Sequence, residues 1–349
     1  MTLASHTPGT WNSILSTTMH NYHKTLTDNI FNSRPLLHYL MSNGRVQTIG
    51  GGISIVEPII FTDGQADSYS EWQQVAVAPQ ATATAAQFDW KQLVATIAIS
   101  GLEEAQNNGK EQIVNLLEAK IMQAEETMKT LLNGMLFGTA TGSNTANDFN
   151  SLQLLIDSTG TVGGIDPSLP ANAWWAGVES SAGAVDAAGL ERVLRSAYNQ
   201  SSDSGADRVD SIFTNSWGFE FYESTLTPQV RYTDTAKANL GFQNLMFKNV
   251  PIMWDFQAPQ GNGAATTAAS TTAMFFGLNS KYVGLKIHSD RNFKQSGFSE
   301  NLSGSVASTH GSSGATSAVD ARVSFITTYG NATIRSRRRN FKVTTVSEA

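Results

Sequence analysis

The chain contains no cysteine, which rules out disulfides, thiolate metal sites and cysteine nucleophiles. Charge is scarce too. Asp, Glu, Lys and Arg make up only 15% of the 349 residues, where an ordinary soluble domain carries about a quarter. So little charge points to surface that is hidden against other molecules. The balance that remains is acidic, net −6, so the protein as a whole is not a neutraliser of nucleic acid. No apolar run reaches the ~18 residues of a membrane span. The opening MTLASHTPGTW lacks the basic and apolar regions of a secretory signal. The expectation is synthesis and first action in a cytoplasm, with no membrane partner.

Motifs that carry chemistry are missing as well. His20 and His23 form the one metal-like pair, but no carboxylate or third ligand is spaced with them. Asn108-Gly109-Lys110-Glu111 has Glu where a phosphate loop needs Ser or Thr. Neither a G-x-S-x-G elbow nor an HExxH pair occurs. The chain reads as a non-enzyme with no metal and no cofactor.

What is present is a run of contrasting segments. Residues 10–43 have helical spacing, which Arg34-Pro35 interrupts and Gly44 ends. Residues 46–61 and 86–99 are β-rich, and a long polar connection separates them, which predicts a projecting hairpin. From Lys110 to Leu136 an apolar stripe at helical spacing predicts one helix about 40 Å long. Ile113, Leu117, Ile121, Met128 and Leu131 are its candidate core residues, and Glu104, Glu111, Glu118 and Glu125 lie away from the stripe. An α/β stretch follows over 186–228. Strands are predicted at Val209–Thr214, Leu245–Trp254, Ala273–Leu278 and Tyr282–Ile287, and a last strand or hairpin over Ala321–Val346.

Two charge blocks stand out. Residues 46–90 hold Glu57, Asp63, Asp67, Glu71 and Asp89 with no Lys or Arg; residues 321–347 hold Arg322, Arg335, Arg337, Arg338, Arg339 and Lys342 with no Asp or Glu. Three readings stand: a solvated acidic loop and basic tail, complementary surfaces on adjacent copies of the chain, or an arginine patch for nucleic acid.

The segment AQFDWKQLVATIAISGLEEAQNNGKEQIVNLLEAKIMQAEETMKTLLNGMLFG (86–138) resembles the second E-loop strand and spine helix of tailed-phage major capsid proteins, the Hong Kong 97 fold family. Residues 150–175, with Gly-Gly-Ile-Asp and paired tryptophans, look similar in kind. The resemblance implies an α+β fold. It would comprise an N-terminal arm (1–45), an extended hairpin or E-loop (46–100), a peripheral domain with a spine helix (101–185, helix 110–137) and an axial α/β domain (186–290). The chain would then return to the peripheral domain (291–349).

It also implies a head protein that assembles into pentamers and hexamers of an icosahedral shell around double-stranded DNA, bound without sequence specificity. The shell would be built in the host bacterial cytoplasm. Some family members carry an N-terminal scaffolding segment that is later removed. This sequence opens directly on the arm, so scaffolding is expected either from a separate protein or from such a segment outside this sequence, with a portal and a decoration protein as further partners. No lysine lies between Lys24 and Lys91, so the loop tip cannot supply the amine of the family's covalent cross-link, and a non-covalent shell is expected. A nanocompartment shell of the encapsulin type is the alternative within the fold. A secreted carbohydrate-binding β protein, suggested by seven tryptophans and Gly/Ser/Thr loops, is the alternative outside it.

Overall fold

A computed structural model describes residues 34–74, 81–106, 116–139, 145–202, 207–226, 245–267, 270–296, 299–302 and 319–349. The expected arm up to residue 33, including His20 and His23, lies outside them. Helix α1 (Pro35–Ser42) begins at the proline that was expected only to interrupt, because a fixed φ suits the first helical position. Gly44 takes φ +64° after its end.

The first β-rich run is two strands, β1 (Val46–Ile49) and β2 (Ile55–Ile60). Between them Gly51 and Gly52 take φ +132° and +122°, which side-chain-bearing residues avoid. Strand β3 (Ala83–Phe88) pairs antiparallel with β2 from Ile55↔Phe88 to Ile60↔Ala83. That is the expected hairpin. Strand β4 (Lys91–Ser100) and the short α2 (Gly101–Gln106) lead to the long helix α3 (Leu116–Phe137).

The remaining elements are α4 (Leu152–Leu155), β5 (Val178–Ser181), β6 (Ala184–Val185), α5 (Ala187–Ser201), β7 (Ser211–Thr214) and α6 (Ser216–Thr225). After them come β8 (Leu245–Phe247), β9 (Val250–Trp254), β10 (Thr272–Leu278), β11 (Val283–His288), β12 (Lys294–Gln295), β13 (Ser299–Leu302), β14 (Val319–Ile334) and β15 (Phe341–Glu348). Side chains of Asp186 and Asn215 cap α5 and α6 by accepting from Gly189 and Gly218 N–H at 2.7 and 2.8 Å.

The described residues divide into two compact units. Residues 96–106, 116–124, 299–302 and 319–324 form the smaller, in which β13 pairs antiparallel with the start of β14. The larger holds the rest and contains two sheets besides the β2–β3 hairpin. One runs β1–β11–β14–β12, with β1 parallel to β11 and β11 antiparallel to β14. The other is mixed, in the order β5–β15–β10–β7–β9–β8, with β6 also on β15. The final strand thus shares a sheet with β7 and β10, whereas β14 lies in the sheet of β1 and β11.

In the mixed sheet, α5 and α6 supply Leu190, Leu194, Phe219 and Tyr222 to a core with Ile212, Ile252, Phe275, Phe341 and Val343. Gly277 is required there: an added Cβ would lie 2.1 Å from the Phe341 ring.

Within the larger unit, α3 buries Met128, Leu132, Met135, Leu136 and Phe137. Met128 Sδ accepts from Thr328 Oγ1 of β14 at 3.7 Å, and the Phe137 ring lies 6.1 Å from that of Phe276 in β10. Of the predicted stripe, Met128 is 1% exposed. Ile121 and Leu131 are only half-buried, and Leu132 takes the place given to Leu131. Ala124, Met128, Leu132 and Leu136 are buried at a spacing of four, whereas the predicted stripe stepped by three from Met128 to Leu131. Ile113 and the Leu117 side chain lie outside the described residues.

Candidate functional site

Strand β2 alternates inward and outward, so Ile55, Glu57 and Ile59 face in while Val56 and Ile60 face out. That alternation carries a carboxylate into an apolar face. Glu57 is 3% exposed, and a bare carboxylate there would cost several kcal/mol. It is compensated inside its own chain. Lys286 Nζ of β11 lies 3.2 Å from Oε1, Arg335 Nε donates to Oε2 at 2.8 Å, and Thr333 Oγ1 donates to Oε1 at 3.3 Å. Lys286 also donates to Gln47 Oε1 of β1. The root of the hairpin is therefore locked to β1, β11 and the end of β14.

Other contacts brace the same root. Trp90 Nε1 donates to Gly52 O at 2.9 Å, and its ring meets His288 edge-on at 5.6 Å. Gln87 N–H donates to Gly163 O at 3.0 Å, and Phe61 stacks on Trp174 at 5.3 Å.

Beyond Phe61 the tip is open. Asp63, Asp67 and Glu71 are exposed, as are Tyr69 and Trp72, the latter at 95%. Tryptophan seldom lies bare on a monomer, and such residues concentrate where proteins meet.

The basic block behaves differently from the acidic one. Arg337 is 0% exposed. Its guanidinium donates to Leu155 O at 2.9 Å, Gly160 O at 2.8 Å and Leu154 O at 3.3 Å, and also to Asp157 O. These include the last carbonyls of α4, which no intrahelical donor can reach. Burial pushes the Arg337 pKa down to about 10, and the Asp157 charge opposes that shift. Lys342, also buried, lies 3.3 Å from Asp157 and 3.2 Å from Glu179. Burial works against the Asp157 carboxylate, but the hydrogen bond with Glu179 and the Lys342 charge outweigh it and hold its pKa below the usual range.

Glu57, Arg337 and Lys342, candidate contacts between copies in one of the three readings, have partners within one subunit. Arg335 serves Glu57 yet keeps half its side chain exposed, Arg338 is exposed and Arg339 is half-buried.

Sequence reasoning missed Arg45, Lys281 and Lys286, which surround Glu57. The signal was present in V-G-L-K-I-H, a lysine inside a strand of otherwise buried residues. It also missed the buried Asp255, which accepts from both Asn133 Nδ2 (3.2 Å to each oxygen) and Gln257 N–H (2.9 Å). Burial raises its pKa above the usual range.

No protein-family model matches the chain, and no curated protein sequence does. Solved structures do. The capsid asymmetric unit of cyanophage A-1(L) aligns with a TM-score of 0.63 at 14% identity, over 97% of this chain and 99% of that one. The fold is that of a phage capsid subunit. The capsid of the native GTA particle gives 0.58 at 10% identity over 95% and 96% of the two chains, and that of Myoviridae phage XM1 gives 0.55 at 10% over 93% and 96%. The capsid fold is the α+β class expected, and its long helix and mixed sheets differ from an all-β carbohydrate-binding domain.

Proposed function

We propose that this chain is the major capsid protein of a tailed phage, assembling as pentamers and hexamers into an icosahedral shell around double-stranded DNA. The observation that carries this reading is the near-complete coverage, in both directions, of capsid asymmetric units by a chain that keeps the extended hairpin. The bare aromatic tip supports it: Trp72 and Tyr69 would be covered by a neighbouring copy.

In this reading residues 46–100 are the E-loop, 101–185 and 291–349 the peripheral domain, and 186–290 the axial domain around the local symmetry axis, with β15 crossing over to complete the sheet of β7 and β10. Residues 1–45 are the arm that ties neighbours together. Many modest contacts, repeated around closed rings, supply the assembly free energy. Scaffolding, portal and decoration proteins are the expected partners, DNA is held without sequence specificity, and assembly takes place in the bacterial cytoplasm.

Native mass spectrometry and negative-stain microscopy of the purified full chain, alone and with its genomic scaffolding partner, test the reading. Closed particles or five- and six-membered rings are expected. A chain that stays monomeric in both preparations overturns it, and shells filled with a protein cargo point to the nanocompartment instead.

A further inference from the structure

We propose that the cavity at the root of the hairpin is a carboxylate-binding site whose ligand is an acidic side chain from the hairpin tip of a second copy of this chain. The proposal rests on the shell reading above and gives that shell one specific contact.

The cavity measures about 20 Å³ and is lined by Arg45, Lys281, Lys286 and Arg335, with Glu57 as its one carboxylate. Four cations face one anion. Glu57 takes up Lys286 and part of Arg335, and Lys281 reaches Asp207 at 3.1 Å while remaining largely exposed. Arg45 is left over: its Nε is buried without any hydrogen-bond partner. A buried guanidinium N–H without an acceptor costs ~1–3 kcal/mol, so a missing acceptor is the simplest account of it. The cavity has room for a water-sized group or the oxygens of one carboxylate. Arginine and lysine at its rim would hold such a group by charge-assisted hydrogen bonds.

The ligand's source follows from charge and reach. Residues 46–90 carry five acids and no Lys or Arg, and Asp63, Asp67 and Glu71 are exposed. The chain's own tip cannot serve. Asp63 lies six residues beyond Glu57, ~20 Å of extended chain, and the ladder from Glu57↔Ala86 to Ile60↔Ala83 carries it away from the cavity. In the shell reading the acid comes from another copy. A DNA phosphate suits the place less well, because it is flanked by a sugar on each side and the cavity has room only for about a water-sized group.

Zero-length carbodiimide coupling, which joins a carboxylate to an amine, reads the contact in wild-type particles built from mixed light- and heavy-isotope subunits. The expected product is an amide between Lys281 and Asp63, Asp67 or Glu71, with mixed-isotope pairs proving that two copies are joined. Lys281→Arg should keep the particles and lose the product. Particles in which Lys281 couples to none of the tip acids overturn the proposal, whereas a lack of particles counts against the shell reading alone.

The unassembled subunit gives a separate test with a labelled peptide of residues 61–74. Saturable binding is expected, abolished near 1 M salt, where charges are screened within about 3 Å. Lys281→Gln and Arg45→Gln should each weaken it roughly tenfold, the loss of one charge-assisted hydrogen bond. Equal binding by wild type and Lys281→Gln overturns the proposal. So does tighter binding of a short DNA oligonucleotide than of the peptide.

Discussion

Glu57 and Arg335 stand 278 positions apart in the chain and 2.8 Å apart in the fold. The two ends of their contact differ sharply, since the carboxylate is buried and the arginine is half exposed. Removing the carboxylate strands Lys286 in a site with almost no water. Glu57→Gln should therefore destabilise the subunit by ~3–5 kcal/mol, while Arg335→Gln should cost no more than about 1 kcal/mol. Urea unfolding of the two variants gives the ratio, and equal losses would show that the cluster is not organised around Glu57.

Arg337 serves four carbonyl oxygens with one planar fork. Lysine keeps the charge but offers a single nitrogen. Leu154 O and Asp157 O also accept from Asp157 and Gly177 N–H, so Arg337→Lys should leave one of Leu155 O and Gly160 O unpaired, at ~1–3 kcal/mol, and amide exchange over residues 154–160 should quicken. Unchanged exchange would contradict the clamp.

The helix frame can be tested by charge. Met128→Asp places a carboxylate at a fully buried position and should abolish soluble folding. Leu131→Asp, at a half-buried one, should remain soluble with a loss of stability. The reverse order would restore the stripe read from sequence.

Asp255 gives a pH signature. Its folded-state pKa is raised, so below the unfolded value both states are protonated and no penalty exists. As pH climbs from about 4, the unfolded chain ionises first and wild-type stability falls, until pH passes the folded pKa. Asp255→Asn cannot ionise. Whatever fixed cost its amide brings, the variant should gain on wild type as pH rises through that window. A difference that does not change with pH would show Asp255 ionised in the fold.

The acidic tip should matter only between molecules. Changing Asp63, Asp67 and Glu71 together to lysine should leave thermal unfolding of the subunit within about 0.5 kcal/mol of wild type and prevent particle formation. Assembly that survives the change would remove the tip from the interface.

Much of this architecture was legible in the sequence, because period-2 and period-3.6 patterns report burial directly. The hairpin, the long helix and strands β7 to β11 follow from them, whereas the short β5, β6, β12 and β13 do not, and the final run read as one strand or hairpin is two strands in different sheets. The charge blocks left three readings open because sign was counted along the chain and not by face. Glu57 sits between Ile55 and Ile59 on an inward row, and that local pattern already set it apart from Asp63 and Glu71. Arg337 gave no such sign. Its acceptors are backbone carbonyls at 154–160, and every residue type has those. Asp255 is hidden for a related reason, since its partner Asn133 meets it only when α3 packs beside the end of β9.

Strand β15 lies inside its sheet, with β10 on one side and β5 and β6 on the other. It is also translated after all of them. While the ribosome is still reading the codons for Phe341–Glu348, the facing edges of β5 and β10 have no partner and the core beneath them lacks Phe341, Val343 and Val346. Closure of that lobe therefore waits for a strand made after all its neighbours. A polysome crowded with identical nascent chains holds many subunits that cannot yet present finished surfaces to one another.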